Sequence, residues 1–234
     1  MKAEFILFDC METLIDLHKL PALEDYAGWA YKGSGLEGLW EDFDEFVRAY
    51  RLAKDTLSGS LPEYKEYEMM DRFSLLTSSS LKDAGPGFQK DAAGRLYDTY
   101  WKAYRSECYV RDDVRSGLDS LSKAVRLGIV SNFMVRGGIE QLARDCGIYG
   151  YFNFILTSVS MGWRKPHPAI YRDAIARTGV KADEILFVGD DYVNDYKAPR
   201  ELGMNPVLLD RYGRHPEAEQ RIESFEELAD YLSL

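Results

Sequence analysis

Residues Phe5-Ile6-Leu7-Phe8-Asp9-Cys10-Met11-Glu12-Thr13-Leu14 decide how the chain is read, because an uninterrupted apolar run ends abruptly on a carboxylate. A continuous run of this length suits a strand buried on both faces of a parallel sheet, and the Asp then sits where the strand emerges. Taken singly, such an Asp more commonly serves a turn or a helix cap. Further runs repeat the pattern at Leu127–Val130, Phe154–Leu156, Ile185–Val188 and Pro206–Leu209. Helical stripes alternate with them: Val114, Leu118, Leu121 and Val125 precede the second run, and Ile170, Ala174 and Ile175 precede the fourth. Alternating β and α predicts an α/β fold, a doubly wound, Rossmann-like parallel sheet with helices on both faces. Ser224 and Glu227 predict a capping box that opens a last helix through Leu232.

From about Asp16 to Glu107 this rhythm stops. Phe43, Phe46, Val47 and Tyr50 share one helical face; Tyr64, Tyr67 and Met70 suggest a second, and Ala93, Tyr97, Trp101 and Tyr104 a third. Turn-rich breaks at Lys32–Gly38, Ser58–Pro62 and Ser78–Gly87 separate them. The expectation is an inserted helical domain over residues 17–107, with the α/β core formed by 1–16 and 108–234. Its aromatic stripes read as core packing.

Composition narrows the functional class. The chain has 234 residues, 46% of them hydrophobic, enough for one substantial core with a smaller appended domain. A formal net charge of -10 without a basic stripe argues against nucleic-acid binding. The early apolar run is too short for an export signal or a membrane span. Cys10, Cys108 and Cys146 show no metal-site spacing and fit a reduced, cytoplasmic protein. Oligomeric state is left open by the sequence.

Three further segments carry chemistry. The second run ends in Ser131-Asn132, where a hydroxyl and backbone N–H groups suit an oxyanion. Lys165 lies in Arg164-Lys165-Pro166-His167-Pro168, whose prolines limit backbone freedom around a cation that must point at a fixed anion. The fourth run ends in Gly189-Asp190-Asp191-Tyr192-Val193-Asn194-Asp195. Its three acids repel one another; they suit a helix N-terminus or a hard divalent cation.

In this order and spacing, Asp9 to Thr13, Ser131, Lys165-Pro166 and Gly189-Asp190 to Asp195 resemble the four motifs of the haloacid dehalogenase superfamily. The resemblance implies a Mg2+-dependent phosphohydrolase acting on a small phosphorylated metabolite, with the insertion as a helical cap. Asp9 would be the nucleophile that becomes an aspartyl-phosphate, and Thr13 would fix its loop. Ser131, Asn132 and Lys165 would bind the phosphoryl group. Mg2+ would be held by Asp9, the Met11 carbonyl, Asp190 and Asp195, and Asp191 receives no role.

Met11 departs from the pattern, because phosphatases of the family usually carry there a second Asp that protonates the leaving oxygen. A thioether exchanges no proton. Three readings stay open: a slow or specialised phosphohydrolase, with Glu12 as an alternative acid; a 2-haloacid dehalogenase, whose halide leaves without a proton; and a noncatalytic phosphate-binding or regulatory protein. A phosphonatase would need a cap lysine, for which Lys54 is the candidate.

Overall fold

The structure, a computed structural model, describes residues 3–231. Strand β1 (Phe5–Phe8) is wholly buried and is followed by the short β2 (Asp16–Leu17). Four helices come next, α1 (Leu23–Tyr31), α2 (Phe43–Ser60), α3 (Met69–Ser80) and α4 (Pro86–Glu107), and the chain returns through β3 (Cys108–Tyr109), which pairs with β2. The alternating part comprises α5 (Asp112–Ala124), β4 (Arg126–Ser131), α6 (Gly138–Asp145), β5 (Phe152–Thr157), α7 (Ser158–Met161), α8 (Pro168–Thr178) and β6 (Ile185–Gly189). A π-helical turn at Tyr192–Lys197 leads to α9 (Ala198–Glu201), β7 (Asn205–Leu209), β8 (Arg221–Ile222) and α10 (Phe225–Tyr231). The chain divides into two compact units, one reaching Leu17 and resuming at Tyr109, the other His18–Cys108.

Six parallel strands form the sheet of the first unit in the order β5-β4-β1-β6-β7-β8. Because β1 is central, its side chains are buried on both faces, which is why its sequence is apolar without alternation. Phe5 and Leu7 join a cluster with Ile170, Tyr171 and Ala174 of α8. Phe8 faces the other way and stacks on Phe225 of α10 with ring centroids 5.6 Å apart. Gly117 in α5 allows that approach, since a Cβ there would lie 2.8 Å from Cδ1 of Phe225. Burying each such phenylalanine contributes about 2 kcal/mol, so both helical layers are held by the sheet's own apolar runs. The fold is therefore the expected α/β, doubly wound, Rossmann-like sheet.

The sequence reading missed β2, β3 and β8, each two residues long and too short for a periodic signal. Val125 closes α5 as its C-cap, just beyond the helix. At the start of α10, Ser224 Oγ accepts from Glu227 N at 3.4 Å, while the Glu227 carboxylate accepts from Glu223 N at 3.2 Å. Leu232, the expected end of that helix, lies outside the described residues.

The second unit is helical, and its aromatics are its core. Tyr50, Phe73 and Tyr100 meet in sequence, with centroids 6.0 and 5.7 Å apart. Tyr64 and Tyr67 do not share a face of α3, contrary to the periodicity: both precede that helix, and Tyr64 adopts a left-handed φ of 62° that interrupts helical geometry. Tyr67 is instead held by Arg72, which donates to Tyr67 Oη at 2.6 Å and to Tyr50 Oη at 2.8 Å. No helix among the described residues is long and apolar enough to cross a membrane.

Candidate active site

Asp9, Ser131 and Asp190 all stand at carboxyl ends of neighbouring central strands, because β1 lies between β4 and β6 in register. This edge is where open α/β sheets bind ligands. Asp9 N donates to Val188 O at 2.8 Å, tying the nucleophile candidate directly to β6. Ser131 closes β4 and is buried.

Lys165 joins this group from the loop before α8. Its ammonium, 3% exposed as a residue, donates to Asp9 Oδ1 and to Asp195 Oδ1, each at 2.6 Å. Burial opposes the charge, but Asp195 and then Asp9 outweigh it and raise the pKa, so Lys165 stays cationic. The backbone behind it is held firmly. Asn132 accepts from Lys165 N at 2.7 Å and donates to Lys165 O at 3.0 Å. His167 caps α8 by accepting from Ala169 N at 3.2 Å, and Trp163 stacks on its ring at 4.1 Å. The Lys165–Pro166 peptide bond is cis.

Carboxylates exceed ammonium groups here. Oxygens of Asp9, Asp190 and Asp195 lie within 4.8 Å of one another. Burial, and secondarily the charge of Asp9, pushes the Asp190 carboxyl up to about 7. Burial likewise raises Asp195, although Lys165 opposes it. One lysine does not neutralise three acids, and oxygen donors this close fit a hard divalent cation. Thr13, buried, donates to Asp190 Oδ1 at 3.3 Å.

Gly189 makes the Asp195 position accessible: a Cβ there would fall 2.4 Å from Asp195 Cγ. Asp195 also accepts from Asp191 N at 3.1 Å, so its two oxygens serve Lys165 and the loop. Asp191 turns its own carboxylate to Val193 N and Asn194 N, at 2.9 and 2.8 Å, and caps the π-helical turn.

Three placements differ from the roles read from sequence or were absent from them. The Asn132 amide holds the Lys165 backbone, a contact that the sequence did not suggest. Lys54 lies on α2, half exposed, 3.8 Å from Asp55, an ordinary surface pair. Arg211, which no motif marked, donates to the carbonyl oxygens of Glu12 and Thr13 inside the nucleophile loop. Glu12 has a φ of 60°, and burial followed by the Asp16 charge raises its carboxyl above the usual range. Its left-handed backbone, which a glutamate does not announce in sequence, is what this loop needs support for.

The family model for haloacid dehalogenase-like hydrolases matches residues 4–203, spanning all four motifs. The chain belongs to the haloacid dehalogenase-like hydrolases. As a member, it is 37% identical to haloacid dehalogenase-like hydrolase domain-containing protein 3 of Xenopus laevis over 232 residues, covering 95% of this chain and 88% of the relative. It is 29% identical over 208 residues to the ribulose-1,5-bisphosphate 5-phosphatase of Halopiger xanaduensis, covering 82% and 83%. The crystal structure of a 2-haloacid dehalogenase from Pseudomonas syringae pv. Tomato DC3000 superposes with a TM-score of 0.80 at 20% identity, covering 99% of this hydrolase and 98% of that chain. That likeness shows the shared fold.

Proposed function

We propose that this hydrolase is a Mg2+-dependent phosphohydrolase of a small phosphorylated metabolite, working through an aspartyl-phosphate at Asp9. The observation that carries the reading is the meeting of Lys165 Nζ, 2.6 Å from Asp9 Oδ1, with the carboxylate cluster of Asp9, Asp190 and Asp195. Displacement of halide needs no such cluster. The phosphatase named among the relatives adds support.

In this reading Asp9, the Met11 carbonyl, Asp190 and Asp195 would hold Mg2+. Bound there, the ion would neutralise the carboxylate excess and draw charge from a phosphoryl oxygen. The bond from Lys165 to Asp9 Oδ1 fixes the carboxylate's rotation, so Oδ2 attacks phosphorus. The ester P–O bond breaks as the Asp9–phosphorus bond forms, and the alcohol leaves with a proton taken from solvent or from Glu12. Water then attacks phosphorus, releasing phosphate and restoring Asp9. Ser131 and Lys165 bind the phosphoryl oxygens throughout.

A panel of phosphate esters and 2-haloacids, assayed with Mg2+ and with EDTA, tests the assignment. The expected result is phosphate release that requires Mg2+ and disappears in Asp9→Asn. Metal-independent halide release would make the chain a dehalogenase; silence on both panels would favour the noncatalytic reading left open by Met11.

A further inference from the structure

We propose that Arg211 is a positioning residue for the nucleophile loop, acting on backbone carbonyls rather than on substrate; the proposal rests on Asp9 being the nucleophile. Arg211 follows β7, and its guanidinium side chain is 11% exposed. Nη1 donates to Glu12 O at 2.7 Å and to Asp16 Oδ1 at 3.2 Å, while Nη2 donates to Thr13 O at 3.2 Å. The other oxygen of Asp16 accepts from Arg111 Nε at 2.5 Å, so the buried carboxylate is gripped from both sides and fixes the Arg211 fork.

The loop needs this grip. Two consecutive carbonyls converge on one guanidinium, and Glu12 carries a φ of 60°, a conformation unfavourable for a residue with a Cβ. That φ also orients the Met11–Glu12 peptide plane, which carries the carbonyl assigned to the cation. One residue later, Thr13 reaches Asp190 at 3.3 Å. Arg211 therefore holds, from behind, both the Met11 carbonyl and the Thr13 hydroxyl. A planar fork of donors can satisfy two carbonyls and a carboxylate together; a lysine, with its compact ammonium, cannot reproduce that geometry.

Arg211→Met and Arg211→Lys test the clamp by hydrogen–deuterium exchange and by p-nitrophenyl phosphate kinetics with Mg2+. In Arg211→Met, amides of residues 10–16 should exchange about tenfold faster while those of α8 do not. Turnover should drop on the order of ten- to a hundredfold with KM changed less than about threefold, as expected when reacting groups are misplaced but binding surface is kept. Arg211→Lys should recover the melting temperature without recovering kcat, and it carries the comparison if Arg211→Met does not fold. Unchanged loop exchange, unchanged kcat, or full recovery of kcat by lysine would overturn the proposal. If the wild type hydrolyses no phosphate ester, the phosphohydrolase reading fails, and loop exchange alone then decides whether Arg211 is the clamp.

Discussion

Asn132 and Lys165 are joined twice, the amide of one accepting from N and donating to O of the other at 2.7 and 3.0 Å. The side chain that sequence assigned to the phosphoryl group thus also holds the backbone of the lysine. Asn132→Ala should destabilise the fold by about 1–3 kcal/mol through the stranded peptide groups. It should also lower kcat/KM on the order of ten- to a hundredfold through a loosened ammonium. Urea unfolding and steady-state kinetics separate the two effects, and an alanine variant with undiminished turnover would deny Asn132 its aiming role.

The elevated Asp190 carboxyl sets a pH dependence. Its pKa rises from 3.8 to about 7 on folding, so between those values the folded chain holds a proton that the unfolded chain has released. Without divalent cation, this group's contribution makes stability fall as pH climbs through that window. Asp190→Asn should flatten the fall, and millimolar Mg2+ should raise the melting temperature of wild type at pH 7 more than that of the variant. Coincident melting-temperature profiles for the two proteins, with and without Mg2+, would remove Asp190 from the cation site.

Gly189 is the only residue type its position accepts without movement of Asp195, whose Cγ would lie 2.4 Å from an added Cβ. Gly189→Ala should cost about 1–3 kcal/mol from overpacking. It should also weaken Mg2+ binding measured by calorimetry, because the displaced carboxylate belongs to the acidic cluster. Wild-type stability and affinity would show that Asp195 can retreat freely.

Met11→Asp asks whether a missing proton donor limits turnover. General acid–base assistance supplies on the order of a hundred- to ten-thousandfold. The gain should be larger for an alkyl phosphate, whose alkoxide leaves poorly, than for p-nitrophenyl phosphate, whose phenolate leaves readily. A folded, Mg2+-binding variant with equal or no gain on the two esters would place the limitation elsewhere.

What the sequence revealed and what it hid follow from distance along the chain. β1, β4, β6 and β7 were legible because strands buried on both faces must be continuously apolar, and the polar residues closing them stood out by contrast. A change of periodicity after Asp16 was the sequence's ground for expecting a helical insertion. Tyr64 and Tyr67 misled because their spacing is helical while the backbone at Tyr64 is left-handed. The bonds of Asn132 to Lys165 went unread because its partner is a main-chain segment, which has no residue signature. Arg211 was invisible for the same reason: it meets the Glu12 carbonyl across 199 positions of sequence.

The position of β1 also governs the order in which the molecule is made. Phe5 pairs with Arg126 on one side and Ile185 on the other, so β1 precedes both of its sheet neighbours in the chain and is flanked only once β6 has been made. The helices of His18–Cys108, built on contacts nearer in sequence, emerge from the ribosome while β1 still has both edges bare. Its four apolar residues are then a sticky segment in search of a neighbour. The architecture that places Asp9 at the centre of the sheet thus obliges the nascent chain to carry an apolar strand unpaired until β4 and β6 arrive beside it.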